Sequence, residues 1–294
     1  MTTEYEMRWH DSIHEFVNAA VKRADRKGAS HKEGDWSGSD TFAEAVDCAK
    51  NGTWEPGNVS EFRSMFDELL PKLREYTDQN YVEMPDTSGF EVNMQAYLDG
   101  EPDHMRQWMP MEEATSKRAL CLVIGHSISS GVQADELFQK GQAAIALVRA
   151  LRLLGYELEI WSEQTVKGRT AGGRSIKPFS VLTCLHKAGE IMDESAVEFA
   201  VGNPAWLRRL LFGFEEGESP AIRKRYGFEP SGGYGAPAGV CHQELLGAEI
   251  ALDLGRNWWG SGSPDGTAKR AMEWVVSQLK ELGTLDADAV IEFD

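Results

Sequence analysis

The chain has 294 residues, enough for one large or two modest domains, and its 41% hydrophobic and 26% charged residues are those of a globular protein rather than a disordered one. A formal net charge of −17 repels polyphosphates, so binding to nucleic acid or to an anionic membrane surface is not expected; basic proteins and divalent cations are its natural complements. No run of 18 apolar residues occurs, the start "MTTEYEMRWHDSIHEF" is polar, and Cys48, Cys121, Cys184 and Cys241 lie far apart without a CxxC pair. This pattern predicts a cytoplasmic protein with reduced thiols and no membrane span.

Residues 1–115 read as a mainly helical N-terminal region. Ile13, Phe16, Val17, Ala20 and Val21 form one stripe and predict an amphipathic helix. His10 and His14 fall i, i+4 on the same predicted helix, a spacing that suits metal chelation but is only two ligands. In "GDWSGSDTFAEAVDCAKNGTW", Thr41 and Glu44 make a capping box, Gly52 is placed to end the helix, and Trp36 and Trp54 bracket it. "VSEFRSMFDELLPKLREY" repeats the helical pattern, with Pro71 placed to kink or stop it. "YVEM" and "FEVNM" suit short strands, and "YLDGEPDHMRQWMP" reads as a turn-rich connector.

Residues 116–294 alternate strands and helices. "RALCLVI" reads as a buried strand, 134–154 as a helix ended by Gly155, and "YELEIW" as the next strand. "VKGRTAGGRS" reads as a loop and "FSVLTCLHKAG" as a strand. "NPAWLRRLLFGF" follows as a helix, "EIALDLG" as a strand, "TAKRAMEWVVSQLKELG" as a helix and "AVIEF" as a closing strand. The order predicts an α/β fold, a doubly wound and mostly parallel sheet with helices on both faces. Ligands of such sheets sit at the carboxyl ends of the strands, where Gly125 to Ser130 fall.

"LCLVIGHSISSG" (120–131) has two readings. As a nucleophile elbow it would place Ser127 as a serine-hydrolase nucleophile, with His242 and Asp193 (or Asp253) completing a triad in chain order. Against this, Ser129 stands where the elbow's closing glycine belongs, the helix begins only near Ala134, and no oxyanion segment precedes the strand. As strand–GxSxS–loop–helix, the same stretch resembles the start of a von Willebrand factor A-type domain, whose pattern is DxSxS. The likeness runs through the long helix and "YELEIW", and is greatest to the A-type domains of cobalt-chelatase-like subunits. That resemblance implies a hydroxyl loop holding Mg²⁺, an oxygen-preferring ion, and an AAA+ ATPase or other protein as partner. Ser127 and Ser129 match the motif, and Asp253 supplies a later carboxylate. Gly125 stands where the leading aspartate belongs, which removes the one charged ligand of the loop.

The segments 34–54, 97–105 and 129–161 together also resemble a family of uncharacterised proteins of bacteriophages and mobile elements, which implies host cytoplasm as the location if the protein is viral. The resulting expectation is a non-enzymatic interaction or assembly module. It would bind a partner at the carboxyl edge through Ser127, Ser129, Ser130 and the pair Trp258 and Trp259, with or without a divalent ion. Two rivals remain: the hydrolase using Ser127, and an acidic decoy occupying a host nucleic-acid-binding protein.

Overall fold

A computed structural model describes residues 6–24, 28–32, 35–54, 60–78, 81–86, 91–110, 119–129, 131–169, 175–228, 233–256, 258 and 267–293. The chain begins with strand β1 (Glu6–His10) and helix α1 (Ile13–Arg23). The Ser12 hydroxyl caps α1 by accepting from the Glu15 N–H. Two short 3₁₀ turns, Ala29–His31 and Asp35–Ser37, lead to α2 (Phe42–Asn51). Its capping box of Thr41 and Glu44 is formed, and Gly52 ends it in the left-handed conformation at φ 61°, as the sequence predicts. Helix α3 (Ser60–Asp78) continues through Pro71, which neither stops it nor marks its end.

Strands β2 (Tyr81–Asp86) and β3 (Glu91–Val92), helix α4 (Met94–Leu98) and strand β4 (Met105–Pro110) follow; β4 pairs antiparallel with both β2 and β3 in a small separate sheet. The predicted connector 97–110 thus contains the whole of strand β4. The main α/β unit then contributes β5 (Ala119–Gly125), α5 (Ala134–Leu153), β6 (Glu157–Arg169), β7 (Ser175–His186) and α6 (Glu194–Gly202). A π-helical turn, Trp206–Leu211, runs into α7 (Phe212–Glu216) and α8 (Pro220–Tyr226). Short β8 (Ala236–Pro237), short α9 (Gln243–Leu246), β9 (Ile250–Asp253) and α10 (Thr267–Glu281) complete it.

The fold is mixed α/β, with a mostly parallel six-stranded sheet flanked by helices. Strand order is β1–β7–β6–β5–β9, with β8 added alongside the far end of β6. Pairs β1/β7, β5/β6 and β5/β9 are parallel; β6 with β7 is a long antiparallel hairpin, and β8 also runs antiparallel to β6. Alternation along the strands divides the side chains between two faces. Leu120, Leu122, Ile124, Leu158, Ile160, Phe179 and Val181 belong to the main core beneath the helices. Val123, Trp161, Leu182 and Cys184 point the other way, into a smaller cluster with Ala248, against which Val240 and Leu246 pack.

Three expectations are corrected. The mainly helical N-terminal region does not simply pack on the α/β unit: β1 is an edge strand of the main sheet, in parallel register with β7 from Glu6/Phe179 to His10/Thr183. One apolar core runs from Ile13, Phe16 and Phe42 through β5 and α5 to Phe293, across the 115/116 division. His10 therefore lies buried in a strand while His14 is exposed on α1, so the two do not share a helix face. Finally, "AVIEF" is not a strand. Ala289 and Phe293 are buried and Val290 is exposed, the alternation a strand would show. Among the described residues no strand pairs with them, and the segment is tied instead to α3 and α10 by Lys72 and Lys269, which donate to the carbonyls of Glu292 and Phe293.

Candidate functional site: the carboxyl edge of the sheet

Where β5 and β9 end, the register sets Glu163, Gly125 and Asp253 side by side on three adjacent strands. The middle position has no side chain. A Cβ on Gly125 would lie 2.6 Å from Val240 Cγ2 and 3.5 Å from Asp253 Cα, so the side chain that A-type metal sites place here has no room. Val240 from the β8–α9 connection occupies that space.

His126 and Ser127 follow Gly125 and turn inward to opposite faces. His126 is 3% exposed. Its Nε2 lies 3.0 Å from the Ala200 carbonyl and its Nδ1 3.0 Å from Ser162 Oγ, which in turn accepts from Trp206 Nε1 at 2.9 Å. A single arrangement satisfies all three: Trp206 N–H to Ser162, Ser162 O–H to Nδ1, and Nε2–H to the carbonyl. Burial pushes the His126 pKa down to about 4, so the ring is neutral at physiological pH. Ser127 is 4% exposed, and its Oγ accepts the Thr165 backbone N–H of β6 at 2.7 Å. It splices the loop to the sheet where a nucleophile would have to face solvent.

Glu163, fully buried in β6, is the hub of the other face. Its Oε1 accepts from Thr165 Oγ1 (2.7 Å), the Cys241 N–H (2.8 Å) and His242 Nδ1 (3.0 Å), and its Oε2 from the His242 N–H (3.1 Å). Thr165 Oγ1 also meets Ser180 Oγ at 2.9 Å. His242 thus has its acid in Glu163, which fastens the 238–242 segment over the sheet. Asp193 is elsewhere. It is the N-cap of α6, accepting from the Ala196 N–H at 3.1 Å, and it follows the end of β7 that pairs with the start of β6. That is the amino edge of β5 and β6, so the proposed Ser127–His242–Asp193 triad is not assembled.

The donors do not suit Mg²⁺ either. Ser127 Oγ is committed to Thr165, Gly125 offers no oxygen ligand from a side chain, and Asp253 already accepts from the Gly255 N–H (2.9 Å) and pairs with Arg256 (3.3 Å). Burial raises the Asp253 carboxyl above its ordinary value, against the lowering effects of that N–H and of Arg256. Lys140, buried on α5, donates to the Leu254 carbonyl at 3.1 Å and pairs with Glu136 at 2.7 Å, which sets a positive charge near Asp253. Among the described residues no group of three or more His, Cys, Asp or Glu is placed to hold a metal.

What remains exposed is the rim. Ser129 is exposed, and among the described residues its Oγ accepts from the local Gly131 N–H, at 3.4 Å. The Arg256 side chain is 81% exposed over Asp253. Trp258 is partly buried: its ring stacks on Trp274 of α10 at 4.5 Å and 13°, and its Nε1 donates to the Asp253 carbonyl at 2.8 Å. It folds back onto the core instead of projecting as an anchor. Ser130 and Trp259 lie outside the described residues. Arg208 braces the rim from beneath. This buried side chain of the π-helical turn donates to the carbonyls of Val132 (2.5 Å) and Trp36 and lies 4.1 Å from the Trp36 ring, and burial lowers its pKa to about 10. Among the described residues Cys48, Cys121, Cys184 and Cys241 form no disulfide.

The residues that sequence reasoning missed are Glu163, Ser162, Thr165 and Arg208. The first three sit in "SEQT", a polar run that reads as the end of a strand. The available signal was the absence of Gly or Pro before Gly168, which allows β6 to run to Arg169.

Among helices of the described residues, none is long and apolar enough to cross a membrane. Comparison with curated proteins and with solved structures finds no match. A family model, a domain of unknown function designated DUF7192, matches residues 2–257. That span runs from before β1 through Asp253 and Arg256, taking in the sheet and its carboxyl edge. The chain belongs to the DUF7192 family.

Proposed function

We propose that the protein is a non-enzymatic, protein-binding module of A-type-like design that engages its partner at the carboxyl edge of the sheet without a metal. The observation that carries this reading is the division of labour within one loop. Ser127, the residue a hydrolase would need exposed, is buried and bonded to the sheet, while Ser129 two residues on stands at the surface, as does Arg256 after β9. The A-type likeness is supported by the position of Gly125–Ser129 after the parallel strand β5, ahead of a long helix and a parallel return strand. The formal charge of −17 favours a partner with a basic surface, an attraction that weakens as salt rises. A phage or mobile-element setting and an AAA+ ATPase partner belong to the same reading.

A photo-crosslinking amino acid at position 129, compared with one at 189 on the opposite edge, tests it in native-host extract. Adducts from 129 alone, lost on raising salt and unchanged by chelator, are the expected result. Equal adducts from both positions would sink the edge as the binding surface. Labelling by a fluorophosphonate that disappears in Ser127→Ala would instead establish the hydrolase.

A further inference from the structure

On the helix-covered face of the sheet, several polar groups are buried without hydrogen-bond partners. They are both carboxyl oxygens of Glu215 on α7, Oε1 of Gln164 on β6, Oγ1 of Thr183 on β7 and both ring nitrogens of His10 on β1. Register places His10 beside Thr183, and Thr183 beside Ser162, two residues before Gln164. Glu215 is 0% exposed, and Gln164 of β6 is a polar neighbour that acts on its carboxyl. Buried polar atoms in folded proteins nearly always find partners, so unmatched acceptors facing one another ask which group carries a proton.

Among the described residues no cation pairs with Glu215. Arg8 and Arg23 both bind Glu218, at 2.8 and 2.9 Å. Arg209 of the π-helical turn donates to the carbonyls of Ser30, Lys32, Ser39 and Asp40. Ser30 and Tyr234 bind Glu216, and His31 meets Ser30 Oγ at 3.0 Å. His10 packs edge-on against Phe214 at 5.1 Å, and its only acidic neighbour within 4 Å among the described residues is Glu15, at 3.8 Å. An ionised Glu215 would be a buried, unpaired carboxylate flanked by Glu216 and Glu218.

We infer that Glu215 is held in the folded protein as a neutral carboxylic acid whose O–H donates to Gln164 Oε1, making α7 a proton-dependent lock. Burial first, and then the charge of Glu216, push its pKa well above the usual 4.5, against the lowering influence of the Gln164 amide. The lock has leverage because its neighbours hold the N-terminal segment. Glu216 binds the 29–31 turn through the Ser30 N–H and hydroxyl, and Glu218 holds β1 and α1 through Arg8 and Arg23. Ionising Glu215 would drive α7 outward and loosen both attachments.

The sign follows from proton linkage. The folded state keeps a proton that the unfolded chain loses near pH 4.5, so this contribution to stability is complete below that pH and declines as pH rises through the folded-state value. Denaturant unfolding of the full chain across pH, for wild type and Glu215→Gln, reads it directly. The wild-type folding constant should fall about tenfold per pH unit relative to the variant over that window. Curves that stay parallel would overturn the proposal. Should the glutamine variant fail to fold, carboxyl NMR of the wild type with ¹³C-labelled glutamate decides alone: a protonated glutamate at neutral pH sustains the lock, and full ionisation of every glutamate refutes it.

Discussion

His126 shows how a residue type that invites a catalytic reading is made structural by its surroundings. Its two nitrogens are both occupied, and a ring with a pKa near 4 binds no proton at neutral pH. The unfolded chain takes up that proton below about pH 6.5. The contribution of His126 is therefore whole above that pH and is lost as pH falls towards and through 4, roughly 3 kcal/mol in total. Urea midpoints measured from pH 7 to pH 4 should fall more steeply for the wild type than for His126→Gln; superimposable slopes would remove His126 as the cause. Ser127 makes the same point. Its place at the end of a buried strand was legible, because apolar runs and glycine mark such positions. The direction of its hydroxyl was not, because that depends on β6, whose Thr165 stands 38 residues away.

Among the elements, the contact of α5 with α6 depends on backbone-to-backbone approach. A Cβ on Gly141 would lie 2.3 Å from Gly202 Cα and 2.9 Å from the Val201 carbonyl oxygen. No side chain can rotate away, so the helices themselves must part. Gly141→Ala should lower stability by about 3 kcal/mol, the upper end of overpacking costs, although alanine is the better helix former. An unchanged melting temperature would show that the helices are not in this contact. Periodicity identified α1, α2 and α10 because each buries one stripe, and α5, which is buried on every side from Ala143 to Val148, shows as a long apolar run; the second half of β6 was missed. "SEQT" is polar because its side chains serve buried networks, a use that local hydrophobicity cannot reveal. It also assigned a closing strand to "AVIEF", where alternation reflects burial against α3 and α10 without a neighbouring strand to pair with.

For the molecule as a whole, the sheet and its helices form one cooperative unit. Phe16, Val17, Ala20, Phe42 and Ala45 belong to the same core as Leu122, Leu147 and Val275. Arg209 ties the 28–41 segment to the π-helical turn through four carbonyls. A fragment of residues 116–294 should accordingly lack a cooperative thermal transition and a near-ultraviolet dichroism signal, whereas the full chain shows both. A fragment that melts cooperatively would mean that the N-terminal region is dispensable to the core. Local rules were sufficient for the α/β class, the caps of α2, the strand that carries Gly125 and the charge that shapes any partnership, since these follow from spacing, turn chemistry and composition. Which side chains at the carboxyl edge face inward, that Val240 fills the space over Gly125, that Glu163 rather than Asp193 holds His242, and that β1 joins the sheet follow from pairings between residues far apart in the chain. Such pairings are set by the total burial they achieve, and no window of the sequence contains both partners.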